Sequence, residues 1–201
     1  SLNFFILIFQ MLINLPNLLT STRIILIPLL IFIIYFPIGI EDNNVNLIAT
    51  IIFVSAALTD WVDGWLARRW NQTSSFGEFF DPVADKLMVC TTLVVLIDLD
   101  RVGPIIGAII IGREITISAL REWMLKAGST KGLNVNALGK TKTVFQMIAI
   151  PFLLYDNFLF GNFINTRIYG EWLILIAACL TVVSMIGYLF VAWSELRNKK
   201  L

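Results

Sequence analysis

The sequence predicts an all-α membrane protein, with six transmembrane helices preceded by an interfacial, juxtamembrane N-terminal segment. Three observations carry that expectation. The apolar fraction is 58% and the charged fraction 14%, against about 45–50% and about 25% in soluble domains, and mean hydropathy is +0.82. The apolar residues gather into continuous runs near the roughly 20 residues that cross a bilayer as a helix, without the alternation of a β-barrel strand. The basic residues fall mainly at one set of run ends, as the positive-inside rule requires.

The elements follow in order. Leu2 to Ile13 is largely apolar, but it lacks the basic start and small-residue cleavage site of a signal peptide and is too short to span alone. Residues 1–22 are therefore read as an N-terminal extension and residues 23–201 as the six-helix domain. After the turn signal Leu15-Pro16-Asn17 the first span covers Ile24–Ile40. The others are Leu47–Arg68, Phe79–Ile97, Val102–Trp123, Lys140–Phe158 and Tyr169–Trp193, joined by short polar connectors. Arg23, Arg68, Arg69, Arg121, Lys126, Lys131, Lys140, Lys142, Arg197, Lys199 and Lys200 lie on one side. The other side holds only Arg101 and Arg167. The rich side is expected to be cytoplasmic, with both termini and the connector between the second and third spans facing it.

Composition also excludes chemistry. The chain has no histidine, so imidazole acid–base catalysis and imidazole metal ligation are absent. Cys90 and Cys179 sit inside apolar runs and read as small buried hydrophobes. A net charge of +1 gives no reason to expect a nucleic-acid partner.

The informative stretch is Asp60-Trp61-Val62-Asp63-Gly64-Trp65-Leu66-Ala67-Arg68, followed by Gly77, Asp81 and Asp85. On a helix, Asp60 and Asp63 share a face with Gly64 and Ala67, while Gly77, Asp81 and Asp85 repeat every four residues on one face of the next helix. Two helices joined by a short loop are expected to run antiparallel, so the four carboxylates can converge. An aspartate at membrane depth costs about 2.5–3.5 kcal/mol, and four of them repel one another. Hard divalent cations, which prefer oxygen ligands, supply the compensation. Two such ions could hold both phosphates of a pyrophosphate. Gly64, Ala67 and Gly77 would leave room for a bulky nucleotide. The bland alternative, ordinary helix ends and caps, does not account for four acids with small residues on the same faces.

The pattern Asp-x2-Asp-Gly-x2-Ala-Arg-x8-Gly-x3-Asp-x3-Asp resembles the signature of the CDP-alcohol phosphotransferase family at every position. Further likeness lies in Leu15 to Thr20 with Arg23, in Asp81 to Lys86, in Gly112-Arg113-Glu114-Ile115 with Leu120-Arg121-Glu122, and in Gly139 to Thr143. The resemblance covers about Asn14 to the C-terminus. It implies a six-helix homodimer in the inner (cytoplasmic) membrane, its active site facing the cytoplasm, using two divalent cations, Mg2+ or Mn2+. CDP-diacylglycerol would donate a phosphatidyl group to glycerol-3-phosphate, releasing CMP. Asp60, Asp63, Asp81 and Asp85 would be metal ligands, with Asp85 also the general base; the lack of histidine agrees with a carboxylate base.

Arg113, Arg121 and Lys140 offer a cationic pocket for the acceptor's phosphate, because guanidinium forks suit phosphate. Structural pairing of Arg113 with an acid is its alternative, and a surface charge is that of Arg121. Lys142 equally suits snorkelling to the membrane surface. Asn17, Thr20 and Arg23 are assigned to the same entrance, with helix capping as the rival role for Asn17 and Thr20. Gly64, Ala67, Arg68 and Gly77 are assigned to the donor, with interfacial anchoring as the rival for Arg68. Rival readings within the family are cardiolipin, phosphatidylserine or phosphoinositol-phosphate synthesis. A divalent-cation transporter is the rival from another class, but the acids stop near one membrane face and the far halves of the spans are apolar.

Overall fold

The computed structural model describes the backbone of residues 15–37, 39–70, 75–126, 137–159 and 163–199. The side chains of 15–21, 60–70, 75–82, 125, 137–140, 191–192 and 194–199 lie outside that description. Among the described residues the fold is all-α apart from one tiny hairpin, with six helices in order: α1 (Leu15–Tyr35), α2 (Asp42–Trp70), α3 (Ser75–Asp98), α4 (Pro104–Lys126), α5 (Ala137–Tyr155) and α6 (Thr166–Lys199). The strands β1 (Phe158–Leu159) and β2 (Ile164–Asn165) pair antiparallel between α5 and α6. The chain divides into two compact units, Ser1–Val95 and Leu96–Leu201.

Each predicted span corresponds to one helix, with shifted ends. The first helix starts at Leu15, nine residues before the expected span, so Asn17 and Thr20 lie inside it, away from the cap position. Pro16 is tolerated there because the first turn leaves its N–H groups unbonded anyway. The helix stops at Tyr35 and not at Ile40, because Pro37 disfavours the helical conformation of Phe36. The fifth helix ends at Tyr155, three residues early. Asp156 takes a left-handed φ of 43°, and the chain turns into the hairpin. Two-residue strands are too short to leave a periodic signal, so the sequence gives no hint of them. Of the N-terminal extension, expected over residues 1–22, residues 1–14 lie outside the described residues and the rest belongs to the first helix.

In the first unit α1 packs against α2. Val45, Ala49, Ile52, Phe53 and Ala56 are buried on α2 at the spacing of one helical face. On α3 the buried positions among the described side chains are Ala84, Met88, Val89, Thr92, Leu93, Val95 and Leu96.

In the second unit α6 packs against both α4 and α5. Its buried stripe is Thr166, Gly170, Ile174, Ala177, Ala178, Thr181, Ser184 and Tyr188, mostly small residues that let backbones approach closely. Gly170 shows how closely: a Cβ there would lie 2.7 Å from Leu153 Cγ and 3.2 Å from the Leu153 backbone N. The facing stripe on α5 is Lys142, Gln146, Ala149, Ile150, Leu153 and Leu154.

Charged groups tie one end of this unit together. Arg101 Nη1 donates to the carbonyls of Leu153 (3.1 Å) and Leu154 (2.8 Å), filling acceptors that a helix C-terminus leaves open. Its Nε lies 3.1 Å from Asp156 Oδ2. Burial lowers the Arg101 pKa from its ordinary range, and Asp156 opposes that shift. Arg167 adds a bond from Nη2 to the Asp100 carbonyl at 2.9 Å and pairs with Glu171 at 3.3 Å.

Among the described residues, Thr166–Phe190 is the one helical stretch long and apolar enough to qualify as a membrane span by itself. Thr22–Tyr35 and Thr141–Tyr155 are shorter apolar segments. Charges interrupt the others. In α4 they are Arg113, Glu114, Arg121, Glu122 and Lys126.

Candidate active site

The signature aspartates occupy the helices expected of them. Asp60 and Asp63 fall in the C-terminal half of α2, three residues apart, with Gly64, Ala67 and Arg68 continuing the helix. Gly77, Asp81 and Asp85 fall in the first half of α3 at four-residue intervals. Of the four acids, Asp85 has a described side chain, and it is half-buried. The side chains of Asp60, Asp63, Asp81, Gly77, Ala67 and Arg68 lie outside the described residues, as do those of Asn17, Thr20 and Lys140. Among the described residues no group of three or more acids or thiols could hold a metal ion. The donor set itself, all carboxylate oxygen at helical spacing, fits a hard divalent cation. Arg23 in α1 is buried, with 2% of its surface exposed, so it is no surface anchor.

The second unit assembles a cationic cluster whose side chains are described. Arg113 and Lys142, 7% and 3% exposed, are brought to one carboxylate, Glu114. Lys142 Nζ donates to Glu114 Oε1, and Arg113 Nη1 approaches the same oxygen at 3.4 Å. Arg113 Nη2 donates to Ser184 Oγ at 3.4 Å, and that hydroxyl donates to the Thr181 carbonyl at 2.9 Å. Arg121 Nη2 donates to the Tyr188 hydroxyl at 2.9 Å. The guanidinium carbons of Arg113 and Arg121 lie 5.9 Å and 5.5 Å from the Tyr188 ring centroid.

Two properties of this cluster bear on chemistry. Among the described residues Arg113 and Lys142 share the Glu114 carboxylate while Arg121 bonds to the neutral Tyr188 hydroxyl, so these four charged groups sum to +2. The Nε atoms of Arg113 and Arg121 are buried and have no hydrogen-bond partner, an expensive condition unless something arrives to accept from them.

The structure places the Arg113 and Arg121 guanidinium groups beside one ring, that of Tyr188. For Lys142, which suited snorkelling equally well, the structure shows a buried side chain paired with Glu114. Sequence reasoning missed Ser184 and Tyr188, which lie in an apolar run. The available signal was their helical spacing with Thr181, a line of hydroxyls on one face.

Residues 13–193 match the profile of the CDP-alcohol phosphatidyltransferase family. The chain is 44% identical over 187 residues to a protein of Haemophilus influenzae, covering 91% of this chain and 95% of the relative. It is 41% identical over 188 residues to proteins of Escherichia coli K12 and of Shigella flexneri serotype 5b, covering 92% of this chain and 98% of each relative. All three relatives are named CDP-diacylglycerol–glycerol-3-phosphate 3-phosphatidyltransferase.

Proposed function

The chain belongs to the CDP-alcohol phosphatidyltransferase family, and on that premise we propose that it transfers the phosphatidyl group of CDP-diacylglycerol to glycerol-3-phosphate, giving phosphatidylglycerophosphate and CMP. The observation that carries the acceptor assignment is the buried cluster of Arg113, Arg121, Lys142 and Glu114, with its net charge of +2 and two unused guanidinium N–H groups. A phosphate monoester brings close to two negative charges and several acceptor oxygens. Serine is zwitterionic, and phosphatidylglycerol carries a single phosphodiester charge, so both match the cluster less well. Inositol phosphate matches its charge equally, and the names of the relatives favour glycerol-3-phosphate over it.

In the reaction the acceptor hydroxyl oxygen attacks the phosphorus of the phosphatidyl group. The bond from that phosphorus to the bridging oxygen breaks, and CMP leaves with the electron pair. Asp85 takes the hydroxyl proton. Asp60, Asp63, Asp81 and Asp85 would hold two divalent cations, Mg2+ or Mn2+, which when bound neutralise the pyrophosphate charge. By the family resemblance Gly64, Ala67, Arg68 and Gly77 are assigned to the donor, and Arg113, Arg121 and Lys140, with Asn17, Thr20 and Arg23, to the acceptor.

All six helices cross the bilayer in this reading. Their lengths run from 19 to 34 residues, or about 28 to 51 Å at 1.5 Å per residue, against a hydrocarbon core of about 30 Å. The exposure pattern suits a lipid environment: Ile25, Phe32, Ile51, Ile115, Val144 and Phe190 are exposed, while Arg23, Arg113, Lys142 and Gln146 join the apolar core. The basic residue distribution supports an inner-membrane protein with the aspartates near the cytoplasmic face. The family resemblance supports a homodimer.

The deciding experiment is CMP release by purified protein given CDP-diacylglycerol, Mg2+ and, in turn, glycerol-3-phosphate, serine, inositol phosphate and phosphatidylglycerol. Glycerol-3-phosphate is expected to give the highest turnover. Faster release with any other acceptor overturns the assignment.

A further inference from the structure

We infer that Tyr188 is a positioning residue for the acceptor's phosphate, an inference that rests on the acceptor reading above. Arg113 and Arg121 are eight residues apart on α4, about 12 Å along the helix axis. Left alone, two long cationic side chains at that separation would repel each other and sample many rotamers. The Tyr188 ring, 6% exposed on α6, lies within 6 Å of both guanidinium carbons. Its face attracts both cations, and its hydroxyl accepts from Arg121 Nη2 at 2.9 Å. One neutral side chain from another helix thereby contacts both guanidinium groups, holding Arg121 and adding to the hold of Glu114 and Ser184 on Arg113.

Neutrality is the point of using a phenol. A carboxylate at this position would order the arginines equally well, but it would cancel one of the charges that binds the phosphate. Tyr188 holds them by ring face and hydroxyl, so the net +2 remains available, and both Nε–H groups stay unused. Glu114 already supplies the single carboxylate that Lys142 and Arg113 share. The arrangement is therefore preorganised for an incoming dianion, and the ordering entropy is spent before the substrate arrives.

The test compares Tyr188→Phe and Tyr188→Leu in the purified full-length protein, with each substrate varied separately. Tyr188→Phe keeps the ring and loses the hydroxyl; Tyr188→Leu loses both. The acceptor KM is expected to rise about threefold in Tyr188→Phe and about tenfold in Tyr188→Leu, on the scale of desolvated cation–π contacts. kcat and the donor KM should stay within about twofold, since neither contact involves the reacting atoms. A purely structural role would lower the melting temperature and move both KM values together, and that result overturns the inference. So does an unchanged acceptor KM in Tyr188→Leu. Titration calorimetry with inorganic phosphate separates this outcome from failure of the acceptor reading. If the wild type ignores glycerol-3-phosphate yet binds phosphate about tenfold more tightly than Tyr188→Leu, the acceptor is misassigned and the role of Tyr188 stands. Equal phosphate affinities, or no phosphate binding by the wild type, overturn it.

Discussion

Glu114 is the residue on which the cationic cluster depends electrostatically. Its carboxylate is the one acid that Lys142 and Arg113 share, and both cations are buried. Glu114→Gln would strand two buried charges, and removing one partner of such a pair typically costs about 3–5 kcal/mol. The expected result is a large fall in melting temperature, whereas Glu122→Gln, at the exposed pair with Lys126, should leave it nearly unchanged. Thermal unfolding of both variants in the same detergent checks the contrast. The four aspartates give a complementary prediction. Asp60→Asn, Asp63→Asn, Asp81→Asn and Asp85→Asn should each lose at least about a hundredfold in CMP release, roughly 2.7 kcal/mol of transition-state stabilisation, with little change in melting temperature. Two or more variants with near wild-type turnover would overturn the two-cation reading. At this scale the sequence was unevenly legible. The aspartates announced themselves because acids at helical spacing are costly in apolar segments. Lys142 did not, because a lysine two residues from Lys140 near a span end looks the same whether it reaches outward or inward. What decides its direction is Glu114, on another helix.

At one point in their long interface α5 and α6 approach with no room to spare. With 2.7 Å between a hypothetical Gly170 Cβ and Leu153 Cγ, and 3.2 Å to backbone, even one methyl group must push the helices apart. Gly170→Ala is expected to destabilise the protein by about 1–3 kcal/mol, the usual cost of overpacking. In the double variant with Leu153→Ala, the combined loss should be smaller than the sum of the two single losses, because the second change vacates the space the first needs. Strict additivity in unfolding measurements would show that the close approach is not what sets the spacing. The elements themselves were readable from apolar runs, since every predicted span is a helix. Their ends were not. Pro37 stopped α1 earlier than hydropathy suggested, and Asp156, a non-glycine residue at positive φ, ended α5 through backbone geometry that composition does not encode.

For the molecule as a whole, the membrane reading makes a sidedness prediction. In a background lacking Cys90 and Cys179, a cysteine placed at Ser74 should react with impermeant reagents only after the cell envelope is opened to expose the cytoplasmic face. Labelling from outside in intact cells would reverse the topology. Chelation of divalent cations should abolish CMP release, and added Mg2+ or Mn2+ should restore it. A further consequence follows from the bonds of Arg101 to the last carbonyls of α5 and to Asp156, with Arg167 fastening α6 to Asp100. These fastenings gather the start of α4, the end of α5 and the start of α6 at one end of the second unit. Tyr188 lies 22 residues beyond Thr166 along α6, about 33 Å away. Mechanically the three helices are rods clamped at the end remote from the cations, so a small rotation at the clamp becomes a larger displacement at the guanidinium pair. Slackening that clamp, as Arg101→Met would do, should therefore reach the acceptor's grip from a distance at which no side chain touches it.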